Sequence, residues 1–97
     1  MIKLYEAIEI NTARGDRFKA LSVAQVSLSS GEINFTFAVT PYGGLWYKGD
    51  WVTDKYWCFI SEKSCETEYP KAWQQILDQL GMIKAWQREN ITEDKVL

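Results

Sequence analysis

Hydrophobic and polar positions alternate with a period of two through much of the first sixty residues, which predicts β-strands. The cleanest run is INFTFAV at 33–39, which places four large apolar residues on one face: Ile33, Phe35, Phe37 and Val39. Residues 45–48 and 51–60 predict two further strands. Because short loops separate these runs, the strands are expected to pair as an antiparallel meander.

The two runs nearest the N-terminus are less regular. Residues 2–10 alternate well enough for a strand, but Glu6 interrupts the apolar face, so a short helix remains an alternative. Residues 18–28 change phase between Val23 and Ala24, as a β-bulge would make them do. Turn-forming residues predict connections at 11–16, 29–32, 41–44 and 49–50.

A helical period replaces the alternation after Ser61. Pro70 suits the first turn of a helix, and an apolar stripe follows at helical spacing: Trp73, Ile76, Leu77 and Leu80. Gly81 is the predicted C-cap. Trp86 would lie about 220° around a continuous helix from Trp73, so either the helix breaks at Gly81 or Trp86 faces away from the core. Residues 90–97 are polar and predict a frayed tail.

These elements predict an α+β fold: a four- or five-stranded antiparallel meander sheet with a C-terminal helix packed on one face, in a single domain of residues 1–97. Residues 55–60 are apolar in both phases of the alternation, with Trp57 and Phe59 on one face and Tyr56, Cys58 and Ile60 on the other. This pattern predicts a central strand buried on both faces. Since one helix covers one face, the other face is expected to meet a second layer, a second subunit or a partner.

Composition narrows the cellular setting. No run approaches the roughly 18 apolar residues of a membrane span, and the N-terminus lacks the apolar region of a signal peptide. Two cysteines without such a signal predict a reducing cytoplasm. Cys58 lies among aromatic residues and is predicted to be a core residue, whereas Cys65 lies in SEKSCETE and is predicted to be exposed. A disulfide between them remains an alternative.

The absence of histidine excludes several chemistries. Catalysis by Ser-His-Asp or Cys-His groups and metal sites built on histidine all require it. No phosphate-binding loop or dinucleotide fingerprint is present, so no catalytic residue, metal or cofactor is expected. An enzyme based on carboxylates, lysine or cysteine stays a remote alternative, with Cys65 as its nucleophile. Glu66 and Glu68 would raise the pKa of that thiol and so weaken it.

The aromatic residues are the remaining pointer to function, because seven large rings fall within residues 41–60. Four of them lie beside glycine turns and are the predicted partner-binding residues: Tyr42, Trp46, Tyr47 and Trp51. Tyrosine and tryptophan are enriched at the centres of protein interfaces. A core position remains the alternative for Trp46 and Trp51.

Two functions fit these observations. The first is a small, non-enzymatic interaction protein, an acidic inhibitor, immunity or adaptor domain of the kind common in phage and mobile-element cargo, which binds and occludes another protein. The second is a binding module for a sugar or nucleobase stacked on the exposed rings. A homodimer would also explain the excess of apolar surface. A net charge of −2 makes duplex nucleic acid an unfavourable partner.

Overall fold

The computed structural model describes residues 3–27, 34–49 and 55–91, which form a five-stranded antiparallel sheet followed by three helices. The sheet has the order β1-β2-β3-β4-β5, and its strands are β1 (Ala7–Asn11), β2 (Arg17–Ser27), β3 (Asn34–Val39), β4 (Leu45–Gly49) and β5 (Cys58–Phe59). The helices are α1 (Glu62–Glu68), α2 (Pro70–Asp78) and α3 (Leu80–Ile91). The predicted α+β class and antiparallel meander are confirmed.

The main core lies between one face of the sheet and the three helices. Strands β2, β3 and β4 contribute residues such as Val23, Phe37 and Leu45, and the helices contribute Cys65, Ala72, Ile76 and Ile83. The alternation in β3 is as predicted, since Phe37 is fully buried and Phe35 packs against the same cluster. Alternation places these side chains on one face, and the helices exclude water from that face.

The predicted bulge in β2 is confirmed. The β2–β3 register shifts between Ser22 and Ala24, and the extra residue allows two consecutive side chains, Val23 and Ala24, to enter the main core.

The first strand is also confirmed, but it begins at Ala7. The turn before it includes Tyr5, whose φ is 63°, so residues 3–6 do not continue the strand.

A glutamine side chain takes the place of a missing strand beside the bulge. β1 pairs with β2 only as far as Leu21, which leaves the edge of β2 uncovered at Gln25. The amide of Gln75, on α2, accepts a hydrogen bond from the backbone N–H of Gln25 at 3.0 Å and donates one to its carbonyl at 2.9 Å. These bonds satisfy the exposed strand edge and fix the position of α2 on the sheet.

The helical region differs from its prediction. α2 ends at Asp78, and its C-cap residue Gln79 has a φ of −116° and a ψ of 19°, which are not helical. Gly81 lies inside α3 instead of capping α2. The interruption lets Ile83 and Trp86 reach the core, so Trp86 does not face away from it. Leu77 and Leu80, placed on the apolar stripe by the prediction, are 42% and 36% exposed.

Helix α1 was not predicted. Ser61 is its N-cap, and the Ser61 hydroxyl accepts a hydrogen bond from the Ser64 N–H at 3.1 Å. The carboxylate of Glu62, in the first turn, interacts favourably with the positive end of the helix dipole.

At the C-terminal end of the helical region, Asn90 and Ile91 belong to α3 and not to a frayed tail. The rest of that predicted tail, residues 92–97, is outside the described residues.

The prediction of a central, doubly buried strand at 55–60 is wrong. β5 contains two residues, pairs with β4 alone and forms one edge of the sheet. Phe59 is 61% exposed, and Cys58 is exposed beside it. The alternation itself holds, because Trp57 and Ile60 are buried in two different clusters. The predicted strand residues 51–54 lie outside the described residues, as do the predicted turn at 29–32 and Asp50.

A second, smaller core covers the other face of the sheet. The backbone N–H of Trp57 donates a 2.8 Å hydrogen bond to the carbonyl of Asn11, the last residue of β1. The chain just before β5 therefore reaches the opposite edge strand. This crossing places the Trp57 indole against Ile10, Ala20 and Ala38, all of them buried. Part of the second face is thus covered by the chain itself.

Candidate functional site

The predicted partner-binding residues do not form one surface. Trp46 packs against the second core, whereas its neighbour Tyr47 packs against the main core, because adjacent strand residues point to opposite faces. Tyr42 lies in the β3–β4 turn and is 65% exposed. Trp51 lies outside the described residues.

Tyr47 belongs to a cluster of rings beneath the helices. Its ring stacks on Phe37 with centroids 5.8 Å apart and planes 19° apart, and lies 5.9 Å from Tyr69. Burial raises the pKa of the Tyr69 hydroxyl above its usual value. These contacts anchor α1 and α2 to the sheet, so Tyr47 stabilises the fold.

Trp46 is the middle member of an aromatic row on the second face, formed by Phe18, Trp46 and Phe59. The centroids of Phe18 and Trp46 are 5.6 Å apart, as are those of Trp46 and Phe59. Phe18 is 37% exposed and Phe59 is 61% exposed. The row therefore presents a contiguous aromatic surface to solvent, with a partly buried tryptophan at its centre.

The row depends on the register of the sheet and on one glycine. Phe59 lies directly opposite Trp46 in the β4–β5 pairing, while Phe18 comes from β2, two strands away. The indole of Trp46 lies over Gly44, where an added Cβ would be 3.2 Å from Trp46 Nε1. Because Gly44 has no side chain, the Trp46 indole can lie against its backbone and extend toward Phe18.

Sequence reasoning missed Phe18 and treated Phe59 as structural. A local signal existed, because Phe18 has the same phase as buried Ala20, and Phe59 has the same phase as Trp57. That phase places both rings on the second face. It does not show that the two residues, 41 positions apart, are brought to either side of Trp46.

Tyr42 belongs to a different surface, an open groove of about 470 Å³ between the β3–β4 turn and α3. The helical wall of this groove includes Lys84, Gln87 and Arg88. Gln87 Nε2 donates a 2.9 Å hydrogen bond to the carbonyl of Thr40, which ties the helix to the turn. Tyr42 and Trp46 are therefore separate candidates for ligand contact.

The two cysteines are placed opposite to their predictions. Cys65 is fully buried on α1, and Cys58 is exposed on β5; neither forms a disulfide. Burial raises the pKa of the Cys65 thiol from its ordinary value of 9.0 to about 11. The predicted direction of the shift is right, but its cause is burial and not the neighbouring acids. Glu66 and Glu68 are exposed, because the helix turns them away from the core.

We expect the two thiols to differ sharply in reactivity. At pH 8 a maleimide should modify Cys58 quickly and Cys65 only after unfolding, since Cys65 is both inaccessible and protonated. Between pH 9 and about 11 an unfolded Cys65 loses its proton while the folded one keeps it, so the free energy of unfolding should fall as pH rises. Mass spectrometry with and without urea measures the labelling, and Cys58→Ser is the control. Equal labelling rates for both thiols would contradict this assignment.

The described residues contain no group of three or more cysteine, aspartate, glutamate or histidine side chains placed to hold a metal ion. No helix in the same part of the chain is long and apolar enough to cross a membrane. Compared with known proteins, the chain matches no family model, and no curated protein or solved structure is significantly similar to it.

Proposed function

We propose that this protein is a non-enzymatic interaction protein, of the acidic inhibitor, immunity or adaptor type, that binds and occludes another protein. The observation that carries the proposal is the aromatic row, whose outer rings are exposed and whose rings contact one another through Trp46. Contiguous exposed aromatic surface on a small acidic protein favours a contact site. Tryptophan at the middle of such a surface is the residue type that contributes most to protein binding.

The shape of the row favours a protein over a small molecule. Small ligands bind in concave sites that enclose them, and the groove beside α3 is lined by residues outside the row. A large aromatic side chain buries about 150–250 Å², and a stable interface buries about 800 Å² on each partner. The row therefore supplies the centre of an interface, with the surrounding polar surface as its rim.

The position of the row also fits a contact role. Phe59 lies on an edge strand of two residues, and its side chain is 61% exposed, so removing the ring leaves the core intact. Phe18 is 37% exposed and contacts Trp46, which packs against the second core. Both rings pack against the indole of Trp46, which restricts their motion before a partner binds. Less side-chain conformational entropy is therefore lost on binding.

We expect Phe59→Ala to weaken binding of the partner by about 30-fold, the loss of one central interface side chain. The partner would first be captured from the native host with immobilised wild-type protein and identified by mass spectrometry. Its dissociation constant would then be measured by calorimetry for wild type and variant. The melting temperature should stay within a few degrees, because Phe59 is 61% exposed.

Tyr42→Ala is the matched control, because Tyr42 is 65% exposed and lies outside the row. Binding that is lost equally in the control would contradict the assignment to the row. If light scattering gave twice the mass of one chain for the wild type and the mass of one chain for Phe59→Asp, the row would be the interface of a homodimer. Saturable tryptophan quenching by oligonucleotides or glycans, abolished by Phe59→Ala, would instead support the flat-ligand alternative.

A further inference from the structure

A narrow crevice lies where the three helices meet the β3–β4 end of the sheet. Its volume is about 110 Å³, and its wall includes residues from α1, α2, α3 and both strands of the β3–β4 hairpin. Because it is bounded by four elements, it encloses a small group on several sides. None of the three rings of the aromatic row lines the crevice, so the function proposed above does not use it.

The floor of the crevice is apolar. It consists of four residues of the main core, each at most 7% exposed: Val39, Leu45, Ile76 and Ile83. Trp73, which is half-buried, and Leu80, which is 36% exposed, extend this apolar wall toward solvent. An apolar group that enters the crevice therefore leaves water for an apolar surface.

The volume of the crevice limits the size of that group. Sites for larger organic ligands usually have volumes of roughly 300–1,000 Å³, and an apolar cavity of about 150 Å³ holds one benzene molecule. The crevice, at about 110 Å³, is smaller than either. It suits an aliphatic chain of about three or four carbons.

Two opposite charges lie on the wall of the same crevice. Glu62 comes from α1 and Lys84 from α3, and both are exposed. In the described part of the chain, neither side chain takes part in an ion pair or a side-chain hydrogen bond. A carboxylate and an ammonium group that do not pair with each other can each contact the opposite charge of one zwitterionic ligand.

Both charges are carried by elements that are fixed to the same hairpin. The Ile60 N–H donates a 3.0 Å hydrogen bond to the Leu45 carbonyl, which holds the start of α1 against β4. Gln87 Nε2 donates a 2.9 Å hydrogen bond to the Thr40 carbonyl, which holds α3 against the turn. The backbone around the crevice is therefore positioned before a ligand binds, and a preformed site loses less conformational entropy on binding.

We propose that this crevice binds a free aliphatic amino acid of about the size of leucine. The side chain of the ligand lies on the apolar floor, its ammonium group contacts Glu62 and its carboxylate contacts Lys84. A free amino acid fits better than the end of a peptide, because a peptide terminus carries one of these charges and a free amino acid carries both. The site is independent of the aromatic row, so either proposal can fail without the other.

Leucine is the first probe, and ¹H–¹⁵N NMR titration of the full chain is the measurement. We expect saturable shifts at residues that line the crevice. Alanine should bind at least about tenfold more weakly, because each methylene that is buried contributes about fourfold in affinity. Phenylalanine should also bind more weakly than leucine, since its ring exceeds the volume of the crevice. N-acetyl-leucine and leucinamide, which lack the ammonium and the carboxylate respectively, should each lose about tenfold, the effect of one charge-assisted hydrogen bond.

Two charge-removing variants assign the two contacts. Lys84→Gln should bind leucine and leucinamide equally but still discriminate against N-acetyl-leucine, and Glu62→Gln should show the converse. Lys71→Gln and Glu66→Gln are the matched controls, because both residues are exposed on the same helical layer and neither lines the crevice. Spectra that match wild type away from the crevice would show that the variants are folded.

Leucine blocked at both ends, as N-acetyl-leucine amide, mimics a residue within a protein chain. If it bound as tightly as leucine, the proposal would be overturned and the crevice would be a pocket for a side chain of a protein partner. Shifts that do not saturate with leucine would also overturn it. So would Lys84→Gln and Glu62→Gln variants that both keep the wild-type order of affinities.

Discussion

Trp57→Ala is expected to lower the free energy of unfolding by about 3–5 kcal/mol, as for other buried tryptophans cut back to alanine. Trp57 is 4% exposed and covers Ile10, Ala20 and Ala38 on the second face. Two of these neighbours are alanines, too small to move into the space that the indole leaves. Since a domain of this size has a total stability of about 5–15 kcal/mol, this loss is a large fraction of the total.

Urea unfolding followed by far-UV circular dichroism measures this loss without depending on tryptophan fluorescence. Tyr56→Ala is the matched control, because Tyr56 is adjacent in sequence and 48% exposed; its effect should stay within about 0.5 kcal/mol. If Trp57→Ala were as mild as the control, Trp57 would be a surface residue and the second core would not exist. Trp57→Phe should fall between the two, since it keeps part of the apolar contact.

Phe37→Ala is expected to have a comparable effect, about 3–5 kcal/mol, on the opposite side of the sheet. Phe37 is fully buried in β3, stacks on Tyr47 at 5.8 Å and meets the edge of Tyr69 at 5.3 Å. Removal of its ring leaves a cavity between the sheet and the helices and loosens both tyrosines. Near-UV circular dichroism should therefore lose tyrosine signal even where the variant remains folded.

Phe37→Leu is the conservative comparison and should cost about 1–1.5 kcal/mol, because most of the apolar volume is kept. Chemical denaturation of the two variants gives the difference directly. A loss in Phe37→Ala no greater than in Phe37→Leu would mean that the site collapses around the missing ring, and would contradict the rigid packing described here.

The site was less predictable than the fold. Tyr42 and Trp46 flank the glycine turn in the sequence, but turn proximity does not determine which face a strand residue occupies. Trp46 and Tyr47 differ by one position, and the pleat alone sends one to each core. Phe18 and Phe59 join Trp46 only through strand register, a property of pairing between distant segments. The cysteines were misassigned for the same reason, because composition around a residue does not report what packs on it.

The sequence by itself determined the period of each element: alternation in β2 and β3, the phase change at Val23 and Ala24, and a helical pattern from Pro70 onward. These are local properties, set by how apolar side chains repeat along a strand or helix. Only the tertiary structure decided that residues 55–60 lie at an edge and reach Asn11, that α2 stops at Asp78, and that the aromatic row exists. Those features depend on hydrogen bonds and packing between residues far apart in the chain, whose free energy outweighs local preference.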